Sequence, residues 1–216
     1  SGVTPDAGIV DGFTDCPPEF HETYTLSQRV NDYRTVLSHL RDNPALARLP
    51  LVLFGGSEGG LAVARLTETE APHATIILSS GTGQTLAEII LSTLPPEGQV
   101  AVTAGFEAAR ADPRGTALFA GSSHRFWADI LDQRAVDSMI DASSPFLVVQ
   151  GGLDRSSPPS ASRPTLDAFA EAGRCTLTYW EFPGLGHGME TRDGTSHLDQ
   201  VLEMAAHWAE RPMTAC

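Results

Sequence analysis

The sequence predicts an α/β fold: a mostly parallel sheet flanked by helices, with a helical lid inserted between two of its strands. Three observations carry that prediction. Short apolar runs recur at 51–54, 74–79, 145–150 and 175–182, each too brief for a helix and followed by glycine or proline. Helical apolar periods separate several of these runs, and strand–helix–strand units imply parallel pairing with right-handed crossovers. Between the second and third runs, residues 84–142 show helical periods and no strand, a stretch too long for one crossover helix.

Each element has its own signal. Residues 1–23 are rich in Gly, Pro, Asp and Thr without a sustained period, so they read as a long loop, with Cys16-Pro17-Pro18 rigid and extended. Thr25-x-x-Gln28 is a capping box that opens a helix with Leu26, Val30, Tyr33, Leu37 and Leu40 on one apolar face. Asn43-Pro44 ends it. The strand at 51–54 leads through Gly55-Gly56-Ser57-Glu58-Gly59 into a helix bearing Leu61, Ala62, Val63, Ala64 and Leu66. In the 84–142 block, Leu86, Ile89, Ile90 and Leu94 suggest a helix stopped by Pro95-Pro96, and 100–110 suggests another. Phe119, Phe126, Trp127, Ile130 and Leu131 suggest more helix. After the third strand a helix spans 160–172, with Leu166 and Phe169 inward. The last helix starts near Ser196 and places Leu198, Val201, Leu202, Ala205 and Trp208 on one face. The division expected is 1–83 and 143–216 as core, with 84–142 as the lid.

Composition bounds the function. A chain of 216 residues, 41% hydrophobic, suits one globular domain with an insertion. A net charge of −13 argues against nucleic acid or an anionic membrane as partner. All 14 basic residues are arginine, so a lysine base or Schiff base is excluded. Cys16, Cys175 and Cys216 are too widely spaced for a disulfide framework or a zinc site. Unpaired thiols in a reducing, cytoplasmic compartment are expected, with a single bridge as the alternative. No apolar run approaches a membrane span.

The chemistry is concentrated at three residues. Gly55-x-Ser57-x-Gly59 sits between a strand and a helix, the context of a nucleophile elbow. There a serine is held in a strained backbone, and a side chain at either glycine is expected to collide with neighbouring backbone. A serine hydroxyl needs a base, and histidine suits neutral pH; the histidine needs an acid to hold its tautomer. Ligands of parallel sheets gather at strand carboxyl ends. Ser57, Asp154 and His187 all follow such ends, in that order. Asp137, Asp141 and Glu181 are fallback acids. Glu58, next to the serine, reads either as a first-turn acid on the helix dipole or as a receptor for a positive substrate charge. Phe126, Trp127 and Met189 are candidate substrate contacts.

The elbow and the order Ser…Asp…His closely resemble the α/β-hydrolase family, over about 25–211. The resemblance implies Ser57 as nucleophile, Asp154 as acid, His187 as base, and the Glu58 backbone N–H as half of an oxyanion hole. It implies cleavage of an ester, amide or thioester of a small acyl substrate through an acyl-enzyme, without cofactor or metal. Acyl transfer on the same triad, or a non-catalytic ligand-binding domain, are the alternatives. The G-G-S-E-G-G form looks like bacterial esterase-like and peptidase-like members. The family's second oxyanion amide comes from a loop after an earlier strand, and only loop-like sequence precedes the capped helix here. The fold is therefore expected to be N-terminally incomplete, with the missing strands and their amide supplied by a further segment, a second chain or another protomer.

Overall fold

The computed structural model describes residues 16–213. A short helix α1 (Pro18–Thr23) and the long α2 (Leu26–Arg41) precede the first strand, β1 (Val52–Gly56), which runs into α3 (Glu58–Leu66) and β2 (Ala74–Leu78). Four helices follow: α4 (Leu86–Ser92), α5 (Pro96–Ala111), α6 (His124–Ile130) and α7 (Ala135–Asp141), with a two-stranded ribbon, β3 (Leu118–Phe119) and β4 (Ser122–Ser123), before α6. The chain closes with β5 (Phe146–Gly151), α8 (Pro159–Ser162), α9 (Pro164–Glu171), β6 (Leu177–Phe182) and α10 (Leu198–Glu210). The main sheet is all parallel, in the order β1-β2-β5-β6.

The two central strands explain the layering. In β2, Ala74, Ile76 and Leu78 pack on one face with α10, while Ile77 joins the cluster on the other face. β5 alternates likewise, Leu147 and Val149 against Phe146 and Val148. Side chains alternate across a strand, so a strand covered on both faces is mostly apolar; every position of β2 and β5 is buried, and Thr75 and Gln150 are their polar members. The elbow helix α3 carries Leu61, Ala62, Val63, Ala64 and Leu66 into the cluster on the face opposite α10.

β1 is different. It is an edge strand, and its register sets Val52 beside Ala74 and Phe54 beside Ile76, so these two point to the α10 face. Val52 and Phe54 are nonetheless 40% and 48% exposed. Tyr33, Val36, Leu40, Leu46 and Leu49, on α2 and the connection to β1, are exposed as well. The apolar face expected along all of α2 is thus buried only at Leu26 and Val30.

Several expectations are corrected. The part of the predicted N-terminal loop that lies within the described residues contains α1, begun by Pro18 at the first helical turn; residues 1–15 lie outside them. The 84–142 block is not purely helical, because Phe119 pairs with Ser122 in the ribbon, turned by Ala120 and Gly121 at positive φ. The helix predicted over 160–172 is broken at Arg163-Pro164 into α8 and α9, since proline removes a donor, and Leu166 is exposed while Phe169 is buried. Cys175 is disulfide-bonded, so the expectation of unpaired thiols is corrected. Among the described residues no helix is long and apolar enough to cross a membrane.

Candidate active site

Ser57 occupies the sharp turn between β1 and α3, at φ 52° and ψ −125°. A non-glycine residue there carries roughly 1–3 kcal/mol of strain, and the surroundings hold it in place. Its N–H donates to the Leu78 carbonyl at 2.8 Å, and its own carbonyl accepts from Gly60 N at 3.0 Å and Ser80 Oγ at 2.6 Å. Ser57 is also the N-cap of α3, a position where serine commonly spends its hydroxyl on a helix amide. Here the side chain caps nothing, and Oγ stays exposed at the sheet's carboxyl rim.

The steric reason for the glycines is only half as expected. A Cβ at Gly55 would lie 2.2 Å from the Gly59 carbonyl oxygen, a clash of backbone with backbone. A Cβ at Gly59 would meet nothing within 4 Å; the second crowded position is Gly60, where Ser80 Oγ would lie at 1.9 Å. Gly55→Ala should therefore cost about 3 kcal/mol of stability, whereas Gly59→Ala should be neutral or slightly stabilising, as alanine is in helices. Urea unfolding of the two variants checks this; equal midpoints would contradict it.

Asp154 and His187 are brought together. Asp154 follows β5 by three residues and is 4% exposed. Its Oδ1 accepts from Ser156 N at 2.8 Å and Ser157 N at 2.9 Å, and its Oδ2 lies 2.8 Å from His187 Nδ1. A carboxylate only accepts, so Nδ1 is the protonated nitrogen and Nε2 is left free as a base. The hydrogen bond to Asp154 raises the His187 pKa above the ordinary imidazole value, against the opposing effect of burial; the charges of Asp154 and Glu190 add to the rise. The two loops meet at van der Waals limit. Leu153 N donates to the Leu185 carbonyl at 2.8 Å, and a Cβ at Gly151 would fall 2.2 Å from the Gly186 carbonyl oxygen.

Gln150 is a supporting residue the sequence reading did not single out. It is fully buried, accepts from Ser162 Oγ at 2.6 Å, and directs Nε2 at the Ser157 carbonyl (2.9 Å) and at Asp154 Oδ2 (3.3 Å). The signal was a lone amide at the end of an apolar strand. Asp137 and Glu181 are engaged elsewhere, with Arg134 and Arg163 at 2.5 and 2.6 Å.

Ser57 lines a cavity of about 650 Å³ with Leu61, Leu86, Ile90, Phe126 and Trp127 among its apolar walls. Phe126 and Trp127 both line this cavity. Met189 is not: it is fully buried in the cluster beneath α10, because its positive φ of 61° turns the chain and points the side chain inward. Glu58 borders the cavity, but its carboxylate is occupied. Arg29 Nη1 lies 2.9 Å from Glu58 Oε1, and Tyr24 donates its hydroxyl to the same oxygen at 3.1 Å, with Arg29 also bonded to Tyr24. Burial, then the Glu58 charge, push the Tyr24 hydroxyl's pKa upward, so it stays a donor. The pairing with Arg29 favours a structural acid over a cation receptor. The Glu58 N–H itself makes no hydrogen bond among the described residues, and neither does the Ser57 hydroxyl to His187. Among the described residues no group of three or more His, Cys, Asp or Glu is arranged to hold a metal.

A parallel sheet, a strained serine between strand and helix, and an acid and a histidine after later strands define the α/β-hydrolase fold, and the chain has it. No protein-family model and no curated protein matches the sequence. Solved structures of similar fold include a monoacylglycerol lipase from Paleococcus ferrophilus, at 18% identity and a TM-score of 0.63 over 87% of this chain and 76% of that one. Est1E from Butyrivibrio proteoclasticus, solved with ferulic acid bound, is 18% identical, with a TM-score of 0.60 over 88% of this chain and 70% of Est1E. VinJ is 17% identical, with a TM-score of 0.59 over 91% of this chain and 76% of VinJ.

Proposed function

We propose that this chain is a serine hydrolase that cleaves an ester, amide or thioester through an acyl-enzyme. The observation that carries the proposal is the 2.8 Å contact between His187 Nδ1 and the buried Asp154, which leaves Nε2 to take a proton at the rim where Ser57 is exposed. In the first half-reaction Ser57 Oγ bonds to the acyl carbon, its proton passes to His187 Nε2, and the leaving atom departs with that proton. Water then reverses the roles. Asp154 holds the imidazole and balances the imidazolium charge. The unpaired Glu58 N–H offers one oxyanion donor. The apolar cavity takes the acyl group, and the 84–142 segment acts as its lid. Among the described residues no hydrogen bond joins Ser57 and His187, and such bonds often form only with substrate bound. Acyl transfer differs only in the second nucleophile. A fluorophosphonate probe tests the reading: it should label Ser57, and no labelling of correctly folded protein would refute it.

Among the described residues no strand pairs with the outer edge of β1, and that edge bears on rate. We read it as the seat of further strands of the same fold, which would cover Val52 and Phe54 and bring the second oxyanion amide. One missing donor costs about 2.7–4 kcal/mol in the barrier. Residues 1–216 alone should therefore hydrolyse an aryl ester about 100- to 1,000-fold more slowly than with that segment supplied in cis or in trans. Full-rate hydrolysis by residues 1–216 alone would overturn this.

A further inference from the structure

A second hollow, of about 600 Å³, opens on the other side of the Asp154 loop. Its walls include His187, Arg155, Arg192 and Glu190. Ser157 lines the Ser57 cavity while its neighbour Ser156 lines this hollow, so the loop that carries Asp154 divides the two. The division matches the two halves of an acyl substrate. The acyl group belongs with Ser57 and the apolar walls; the leaving group must lie where His187 can protonate it.

Two guanidinium groups stand on the walls of this hollow. Arg29, Arg41, Arg65, Arg110, Arg134 and Arg163 each face a carboxylate. Arg155 and Arg192 face none among the described residues, as is true of Arg34, Arg48, Arg114, Arg125, Arg174 and Arg211, but these two line one hollow together. Asp193 adjoins Arg192 in sequence but is taken up by the Thr191 hydroxyl and by the Thr195 amide at 3.2 Å. The one acid on the wall, Glu190, has no ion pair there, so two guanidinium groups face the hollow against one lining carboxylate, with Asp154 behind His187 and Asp193 beside Arg192 as the nearby negative charges. Guanidinium groups present paired donors suited to carboxylate and phosphate oxygens. The two come from different loops, after β5 and after β6, as the walls of a binding cleft do.

On the hydrolase reading above, we propose that the leaving group of the substrate carries an oxyanion, a carboxylate or a phosphate, held by Arg155 and Arg192 beside His187. The acyl carbon–oxygen bond breaks in the Ser57 cavity, the leaving oxygen takes the proton from His187 Nε2, and the anionic product departs through the hollow.

Two butyrate esters of matched size test this, one of 4-hydroxybenzoate and one of 4-hydroxybenzamide. At low ionic strength the charged ester should show about tenfold higher kcat/KM than the neutral one, the scale of two exposed charge pairs. The ratio should fall toward one in the Arg155→Ala/Arg192→Ala double variant and in 0.5 M salt, where screening is strong. A ratio that is unchanged in the double variant, or below one in the parent, overturns the proposal and leaves the hydrolase reading intact. If neither ester is turned over, fluorophosphonate labelling of Ser57 decides the hydrolase reading separately, and the hollow is then read by calorimetry. Binding of 4-hydroxybenzoate or 4-hydroxyphenyl phosphate that is lost in the double variant supports the site, the tighter ligand naming the oxyanion. Binding of neither, or binding indifferent to both arginines, overturns it.

Discussion

Ser57→Ala is expected to reduce ester hydrolysis by about a millionfold, the order that loss of a serine nucleophile costs when base and acid act only through it. The variant should fold normally. The Ser57 side chain makes no cap hydrogen bond, and the backbone contacts that fix the elbow, from Ser57 N to Leu78 and from Ser80 Oγ to the Ser57 carbonyl, do not involve Oγ. Alanine keeps a Cβ at φ 52°, so the strain is retained as well. The measurement is turnover of a 4-nitrophenyl ester alongside the thermal midpoint. Retained turnover at an unchanged midpoint would mean that another group attacks, and the reading built on the elbow would be lost. A residue of slow turnover over background is still expected, because the cavity and the Glu58 amide remain.

Asp154→Asn is expected to cost about 10⁴-fold in kcat. The physical reason is the tautomer. Asparagine can present an N–H where the carboxylate oxygen accepted, so His187 is no longer held with its proton on Nδ1. The pH profile separates this from simple damage. In the parent, His187 must be neutral to act as base, and its hydrogen bond to Asp154 holds its pKa above the ordinary imidazole value. Activity should thus rise with pH along an acid limb displaced above about 6.5, and be lost as pH falls through it. In the variant the carboxylate hydrogen bond that raises the pKa is gone and burial still favours the neutral ring, so the limb should move down in pH. A limb that stays in place while activity falls would assign the limb to another group.

The sequence determined a good deal by itself. Four apolar runs marked four strands, because a strand buried on both faces is apolar at nearly every position, as β2 and β5 are apart from Thr75 and Gln150. The glycine turn before Ser57 was legible because a Cβ at Gly55 has nowhere to go. The order of Ser57, Asp154 and His187 after strand ends was legible because a parallel sheet puts all those ends on one rim. What the sequence could not determine lies in contacts between residues far apart in the chain. Whether Glu58 is a receptor or a structural acid depends on Arg29, 29 residues earlier on α2, reaching across to α3. Met189 read as a substrate contact from its place beside His187, yet a single positive φ turns it into the core. Gln150 was invisible as a support because its partners, Ser162 and the loop of Asp154, adjoin it only after β5 has been packed. Local pattern decides whether a segment is strand or helix, since period and turn residues act over a few positions. The company a side chain keeps is decided by crossover geometry, and only the folded sheet supplies it.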